Sequence, residues 1–516
     1  MQSRVILTKS MAGYSLGVMV SRLSGMCRDI ALAYFFGTSQ EIALFMVAYR
    51  FANLMRRMLA ETPLTSSFVP LFEKAKQEGE ALAFFRDTFG SLVVLTALIT
   101  GAIVGGGWGI GSFFSIQGEG MKLAQVMTFS LPAICLYTLC SQLLHCEKKF
   151  FLPAAAPVGF NGMWIIGAYW ASRFYKMEIL AWGVVAAFFV QWLFVMPPLI
   201  KRFPELLSFA FLRKIRLFSS TVRSMGKPLV LGALGMGATQ INLVLDSLFA
   251  KVADPEGPAF LWYAIRLQQV PMALFGVAMT AVLLPAFSRA VKAFDIEQAE
   301  WLFSHGIKRS FALMSFSMFG LLALGKLAVM LLFARGSFTE VSLENTWQCL
   351  VGYSLGLIPH AAALLLSAYF YAKEDFKTPM KASLYAMGLN AGLNALMVFA
   401  LGLGALSIAL ATSLTSLFNA LYLFSKMNLI TRQVPRVFYL KTLLLGGGCC
   451  MVIGGLQKVF FSLYPLQKSS LLGAFVFFLL AAAYCGLYFV LEIKTKSQEV
   501  LQCIKEAFKL EKVLKK

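Results

Sequence analysis

Apolar segments of about 20 residues recur along this chain, separated by short polar loops. A helix of about 20 apolar residues crosses the ~30 Å hydrocarbon core of a bilayer, whereas barrel strands give short alternating segments. The pattern therefore predicts an all-α polytopic membrane protein. We expect about 14 transmembrane helices, with cores near residues 10–35, 43–70, 86–113, 122–145, 151–172, 178–199, 227–250, 260–286, 310–333, 347–371, 379–402, 404–425, 440–463 and 469–492.

Composition agrees with this class, because the 516 residues are 59% hydrophobic and 14% charged, with a mean hydropathy of +0.72. A net charge of +21 would suggest a nucleic-acid partner in a soluble protein. Here the basic residues gather in alternate short loops, as the positive-inside rule describes. We therefore expect both termini in the cytoplasm and no nucleic-acid partner.

The two halves of the chain resemble each other. Pro70–Ala75 and Pro285–Ala290 close matching spans, and 147–153 and 373–379 open matching spans. Matching elements lie an even number of spans apart, so the predicted repeats are parallel, as in many transporters. We predict an N-lobe at 1–200 (helices 1–6), a cytoplasmic linker at 201–226, a C-lobe at 227–426 (helices 7–12), two further helices at 437–493 and a basic cytoplasmic tail at 494–516. Chance similarity between apolar helices is the alternative.

The first two spans carry charges that a bilayer disfavours by roughly 2.5–3.5 kcal/mol each at its centre. In the first span, Gly13, Gly17, Ser21 and Gly25 form a small-residue stripe suited to close helix packing. Arg22 and Asp29 share one face of that helix. Such charges persist where they face a polar cavity, each other or an anionic ligand.

A guanidinium binds phosphate through two hydrogen bonds and stays protonated. Arg28, Arg56 and Arg266 show no obvious local partner, since the adjacent Asp29 should point away from Arg28. We therefore favour these three as contacts for a phosphate-bearing substrate. For Arg22, Arg57 and Glu61 we favour a structural ion-pair network, with Arg57 and Glu61 as a predicted pair. Such a network is also the alternative for Arg28, Arg56 and Arg266.

A second polar group consists of Asp246, Asn390 and Asn394, whose oxygens suit a hard cation such as Na⁺. An interhelical hydrogen-bond network is the alternative. The sequence shows no catalytic triad, phosphate loop or metal motif, so we expect a transporter without a cofactor, apart from Na⁺ as a candidate coupling ion. Lys326, in the ninth span, has no assigned role.

The run from Ser21 to Pro70, with LLPAFSRA at 283–290 and EDFKTPMK at 374–381, resembles the MurJ/MviN family. This family belongs to the multidrug/oligosaccharidyl-lipid/polysaccharide exporter superfamily. The resemblance implies two six-helix lobes plus a final helix pair that lines a groove for a polyprenyl tail. It also implies a bacterial inner-membrane flippase that moves lipid II, the undecaprenyl-pyrophosphate-linked peptidoglycan precursor, outward by alternating access.

In this resemblance the cavity arginines fall on Arg22, Arg28, Arg56 and Arg266, and an acidic partner falls on Glu61. A sodium site would fall on Asp246, Asn390 and Asn394. The chain departs from the family at Ala43 and Ile265, where members commonly carry Asp or have Asp nearby, and at Ala52 in place of Pro. How the cavity arginines are neutralised is therefore open.

We expect a lipid II flippase acting in peptidoglycan biosynthesis, with membrane lipids and cell-wall synthesis or division proteins as further partners. One rival is an exporter of another lipid-linked oligosaccharide or of drugs on the same fold. Cationic drugs would favour acidic cavities, so the arginines argue against a drug exporter. The other rival is a membrane transferase acting on polyprenyl lipids.

Overall fold

The computed structural model describes residues 2–60, 62–114, 118–208, 213–427, 436–463, 471–495, 500 and 502. Every regular element among them is helical, which confirms the predicted class. In this part of the chain ten helices are long and apolar enough to cross a membrane, or eleven if the bent pair Glu340–Leu355 and Leu357–Ala372 is one span. The protein is thus a multi-pass membrane protein; the total of about 14 spans stays a prediction.

The chain divides into two compact units, Met1–Leu248 and Phe249–Lys516. The division falls inside a helix (226–253) and not at the predicted linker, so the proposed lobe boundaries stay predictions. The helices that begin in the first unit are α1 (Gln2–Phe36), α2 (Gln40–Leu59), α3 (Thr62–Gln77), α4 (Ala81–Phe114), α5 (Glu119–Thr128), α6 (Leu131–Cys146), α7 (Phe151–Ala155), α8 (Pro157–Phe174), α9 (Met177–Arg202), α10 (Ser220–Ser224) and α11 (Gly226–Ala253), with a 3₁₀ turn at Pro204–Leu207.

The second unit continues with the same all-helical pattern. Its helices are α12 (Gly257–Pro271), α13 (Ala278–Lys292), α14 (Ile296–Phe333), α15 (Glu340–Leu355), α16 (Leu357–Ala372), α17 (Lys377–Ala395), α18 (Leu406–Ser425), α19 (Arg436–Leu463) and α20 (Leu471–Lys494). Two π-helical segments, Met272–Val277 and Leu396–Ala400, follow α12 and α17. Most of the predicted tail lies outside the described residues.

The predicted second span is two helices, not one. α2 ends at Leu59 and α3 begins at Thr62. Pro63 explains the break, since its ring lacks an N–H donor and would clash with the carbonyl four residues earlier, at Leu59. Proline is well tolerated in the first turn of the new helix. Arg56 and Arg57 therefore lie in the last turn of α2.

The same backbone turn recurs after matching helices of the two units. In the matching segments described above, Ala75 corresponds to Ala290. The Ala75 carbonyl accepts from the Glu80 N–H at 2.8 Å, and the Ala290 carbonyl accepts from the Asp295 N–H at 3.0 Å. Lys148 matches Glu374, and both are left-handed, with φ of 59° and 61°. A left-handed residue closing a helix is costly for side chains other than glycine. Its recurrence supports the predicted internal repeat.

The small-residue stripe of α1 packs on α7 and on the start of α8. A Cβ added at Gly17 would lie 2.8 Å from both the Ala154 Cβ and the Phe151 carbonyl. A Cβ at Gly13 would contact Phe151 at 3.7 Å, and one at Gly25 would contact Asn161 at 3.7 Å. The close approach predicted from the sequence is therefore present, and it brings the charged end of α1 beside α8.

The segment before α10 is attached to the start of α4 within the first unit. The Arg216 N–H donates to Asp87 Oδ1 at 3.1 Å, and the Phe218 N–H donates to Ser91 Oγ at 2.9 Å. The Ile215 side chain occupies the space where a Cβ at Gly90 would lie. These contacts fix the end of the predicted linker on α4.

In the second unit, α19 and α20 pack on α14. The Tyr484 hydroxyl donates to the Phe316 carbonyl at 2.7 Å, and Tyr484 and Tyr488 are 2% and 1% exposed. Phe319 lies against the glycine-rich part of α19, at Gly446. This packing places the last helix pair beside α14, whereas its role as a groove for a lipid tail stays a prediction.

Candidate substrate site around Arg28

Arg28 lies in α1 and forms a buried ion pair. Arg28 is 8% exposed and Asp29 is 2% exposed. Nε and Nη2 of Arg28 donate to Asp29 Oδ1 at 3.1 and 2.8 Å. The prediction that these neighbours do not pair is therefore wrong. Their Cβ atoms diverge on the helix, but the arginine side chain is long enough to fold back, and burial strongly favours pairing both charges.

Asn161 of α8 provides the third partner of this guanidinium. Arg28 Nη1 donates to Asn161 Oδ1 at 3.1 Å. Asn161 Nδ2 donates in turn to Ser24 Oγ at 2.9 Å and to the Ser21 carbonyl at 3.4 Å. The amide is thus oriented by the cation on one side and by two oxygens of α1 on the other.

Trp164, one turn further along α8, lies beneath the guanidinium. The Arg28 Cζ atom is 4.5 Å from the centroid of the indole ring, a cation–π contact. Phe45 and Tyr49 of α2 pack against the same indole, with ring centroids 6.0 and 4.8 Å away. Trp164 is 1% exposed, so three helices hold the arginine in one position.

The other cationic side chains of the first two spans have different environments. Arg22 is exposed, and Arg50 and Arg57 are half-buried. Arg56 Nε donates to Asn53 Oδ1 at 2.8 Å, which corrects the expectation that Arg56 has no local partner. Sequence reasoning considered only acids as partners, and an amide one turn earlier on the helix serves as well.

The predicted Arg57–Glu61 pair stays a prediction. Glu61 lies outside the described residues, and Arg57 lies in the last turn of α2. Among the described residues, Asp29 pairs with Arg28.

Arg266 of α12 repeats one feature of Arg28 in the second unit. Its Cζ atom lies 4.4 Å from the centroid of the Trp262 ring, and its Nη1 donates to Gln269 Oε1 at 3.4 Å. It is half-buried and lies shortly before the π-helical segment at Met272–Val277. π-Helical segments are frequent at functional sites, so this environment agrees with the predicted role in substrate binding.

The predicted sodium ligands are described separately in the two units. Asp246 is 6% exposed and accepts from Asn242 Nδ2 at 3.4 Å in the first unit. In the second unit, Asn394 Nδ2 donates to Asn390 Oδ1 at 2.8 Å, and both residues are buried. Hydrogen bonds occupy two of the oxygens that a cation would use, one on Asp246 and one on Asn390. The sodium site stays a prediction.

Lys326, to which the sequence assigned no role, forms an ion pair. Its Nζ lies 2.6 Å from Glu344 Oε2 of α15, with both side chains 47% exposed. An exposed pair of this kind contributes roughly 0–1 kcal/mol to stability. Its position on two successive helices of the second unit indicates a structural role.

Glu147, just beyond the end of α6, connects three helix ends of the first unit. Its carboxylate lies 2.9 Å from Lys76 Nζ and 3.4 Å from Arg202 Nε. The hydrogen bond from Lys76 lowers the pKa of Glu147 below its usual range. The same hydrogen bond raises the pKa of Lys76 above its usual range. The ends of α3, α6 and α9 are therefore held together by charge.

Sequence reasoning did not identify Asn161 and Trp164 as site residues. Both occur in the run Phe160–Trp164 of an otherwise apolar span. A single amide in a membrane helix needs a hydrogen-bond partner, since the lipid provides none. This was the one signal available from the sequence, because the partner itself lies on another helix.

The comparison with known proteins assigns the chain to a family. A family model described as "Lipid II flippase MurJ" matches residues 32–484, which is most of the chain. The chain belongs to the MurJ family. Arg56 and Arg266 lie inside the matched range, and Arg22 and Arg28 precede it.

MurJ relatives and a solved MurJ structure match over similar lengths. The Chlamydia muridarum protein named probable lipid II flippase MurJ is 33% identical over 400 residues, which cover 75% of this chain and 72% of that protein. The lipid II flippase MurJ of Burkholderia cenocepacia is 28% identical over 513 residues, covering 95% and 98%. A structure of lipid II flippase MurJ in an inward closed conformation aligns with a TM-score of 0.74 at 23% identity, covering 94% of this chain and 98% of that one. That likeness establishes the MurJ fold.

Proposed function

We propose that this chain is a lipid II flippase of the bacterial cytoplasmic membrane. It moves the undecaprenyl-pyrophosphate-linked peptidoglycan precursor from the inner to the outer leaflet by alternating access, with both termini in the cytoplasm. The observation that carries the proposal is the family match over residues 32–484. The activity is transport and not catalysis, since no bond of the lipid is made or broken.

The Arg28 network supports this function chemically. A guanidinium has five N–H donors, and three of those of Arg28 are used by Asp29 and Asn161. The ion pair with Asp29 lowers the cost of burying the arginine in the membrane. A pyrophosphate can then bind the remaining donors through charge-assisted hydrogen bonds.

Three other arginines complete the proposed binding set. Arg56 and Arg266 bind the pyrophosphate together with Arg28, and Arg22 attracts the anionic head from its exposed position. Since a ligand shifts a conformational equilibrium only by binding one state better than another, these contacts must differ between the inward-facing and outward-facing states. This difference drives the rocking of the two halves.

Sodium coupling is a further part of the proposal. Asp246, Asn390 and Asn394 supply oxygens of the type that Na⁺ prefers. Flipping measured in sodium and in potassium media tests it, and equal rates would remove sodium from the mechanism. Interaction with cell-wall synthesis or division proteins also belongs to the proposal.

The test is complementation in a bacterium depleted of its own lipid II flippase. We expect rescue by the wild-type chain and no rescue by Arg28→Ala, Arg56→Ala or Arg266→Ala at equal membrane abundance. Arg335→Ala is the matched control, because Arg335 is an exposed arginine whose side chain, among the described residues, donates to the Leu331 carbonyl, and it should rescue. Rescue by all three cavity variants would contradict the proposed arginine set. If the correctly inserted wild-type chain failed to rescue growth, the assignment of lipid II as the substrate would be contradicted.

A further inference from the structure

We propose that Asn161 and Trp164 of α8 are positioning residues, which hold the Arg28 guanidinium so that its unused donors meet the phosphate of the substrate. This inference rests on the proposed function and adds to it two residues from α8, a helix that supplies none of the four proposed substrate-binding arginines. Its basis is the geometry around Arg28.

Asn161 fixes the guanidinium within its plane. It accepts from Nη1, while Asp29 occupies the edge formed by Nε and Nη2. Because two partners bind different nitrogens, the guanidinium cannot rotate without breaking one contact. Two of the five donors, one on Nη1 and one on Nη2, have no hydrogen-bond partner among the residues that the structure describes. The side chain of Arg28 is still 10% exposed, so a ligand can reach it.

Trp164 fixes the guanidinium perpendicular to its plane. The indole face lies 4.5 Å from Arg28 Cζ, and tryptophan gives the strongest cation–π contact of the aromatic side chains. The indole Nε1 is buried without a hydrogen-bond partner among the described residues. Burying an unsatisfied donor is unfavourable, so the indole N–H is not the reason for a tryptophan at this position. We infer that the reason is the ring face, which contacts the Arg28 guanidinium.

The neutrality of Asn161 matters as much as its shape. Asn161 adds no charge to the Arg28–Asp29 ion pair. A carboxylate in place of the amide would make the network negative and would compete with the phosphate for Nη1. Asn161→Asp is nearly isosteric, so it separates charge from packing.

The experiment measures binding to the purified full-length protein in nanodiscs, with lipid II and undecaprenyl pyrophosphate as the two probes. We expect Asn161→Ala to weaken binding about 10-fold or more, as for loss of a hydrogen bond to a charged group. Asn161→Asp should weaken it at least as much. Trp164→Leu should weaken binding about fivefold, and Trp164→Phe, which keeps an aromatic face, should retain most of the affinity.

A control separates positioning from folding. Gly162→Ala changes the neighbouring residue, where an added Cβ meets nothing within 4 Å, and it should bind like wild type. Thermal stability of each variant is measured alongside. In a double-mutant cycle, Asn161→Ala should weaken binding in the wild-type background but not in an Arg28→Gln background. A merely structural role would lower affinity in both backgrounds, and this result would overturn the inference.

The two probes distinguish failure of the inference from failure of the proposed function. If wild type binds undecaprenyl pyrophosphate but not lipid II, the substrate assignment is wrong, and the cycle with the first probe still decides the role of Asn161. If wild type binds lipid II and Asn161→Ala binds equally well, only the inference is wrong. Binding of neither probe overturns both.

Discussion

Replacing Asp29 by asparagine should destabilise the first unit, because it leaves the buried Arg28 charge without its counterion. Arg28 and Asp29 are 8% and 2% exposed and are joined by two hydrogen bonds. Breaking one partner of a buried pair costs roughly 3–5 kcal/mol. For a unit of this size each kcal/mol lowers the melting temperature by about 2–4 °C. The expected decrease is therefore about 6–20 °C.

The double variant Arg28→Gln with Asp29→Asn provides the decisive comparison. Removing both charges of a buried pair is often close to neutral, so the double variant should be more stable than Asp29→Asn alone. The double variant should nevertheless fail to flip lipid II, because it lacks the Arg28 guanidinium that is proposed to bind the phosphate.

Unfolding can be followed with a thiol-reactive fluorophore at one fixed heating rate, since Cys135 and Cys140 are buried in the same unit. Arg335→Ala, in the second unit, is the control for loss of a charge elsewhere and should melt with wild type. A melting temperature for Asp29→Asn within 2 °C of wild type would refute the reasoning. So would a double variant that melts below the single one.

Three further predictions concern packing and charge. Gly17→Leu should separate α1 from α7 and cost about 1–3 kcal/mol, measured as a lower melting temperature. Glu147→Gln should remove the ion pair with Lys76 and lower the melting temperature at pH 7 by roughly 1–4 °C. Since the hydrogen bond from Lys76 lowers the pKa of Glu147 below its usual range, the pair stabilises the protein at neutral pH, and the difference should vanish as the pH falls through the lowered pKa. Gly90→Leu should displace Ile215 and make the segment before α10 more sensitive to protease.

Gly162→Ala is the control for Gly17→Leu and should leave the melting temperature unchanged. A Gly17→Leu protein that melts with wild type would contradict the close packing of α1. A Glu147→Gln difference that persists at low pH would show that the carboxylate acts through packing. Unchanged protease sensitivity of Gly90→Leu would show that Asp87 and Ser91 alone hold the segment.

The helix boundaries were largely predictable because they depend on local composition. The span expected at 178–199 is α9, Met177–Arg202, and that at 404–425 is α18, Leu406–Ser425. The expected span at 43–70 is divided into α2 and α3 near Pro63, although the proline was visible in the sequence. The small-residue stripe of α1 was predicted correctly, since a four-residue repeat of small side chains has few other uses in a membrane helix.

The contacts of the site were less predictable because they join separate helices. Asn161 and Trp164 lie far from Arg28 in sequence, and nothing in their spacing indicates the meeting. The Arg28–Asp29 pair was not predicted, because the direction of a Cβ atom does not determine where the end of a long, flexible side chain lies. Lys326 found its partner on the next helix, Glu344, across a turn whose geometry the sequence does not define.

The most direct test of the central claim is lipid II translocation by the purified protein in proteoliposomes. Labelled lipid II is placed in one leaflet and its arrival in the other is followed with an impermeant reagent. The account predicts translocation by wild type and by Arg335→Ala, and none above protein-free vesicles for Arg28→Ala. Translocation by Arg28→Ala at the wild-type rate, or none by folded wild-type protein, would contradict it.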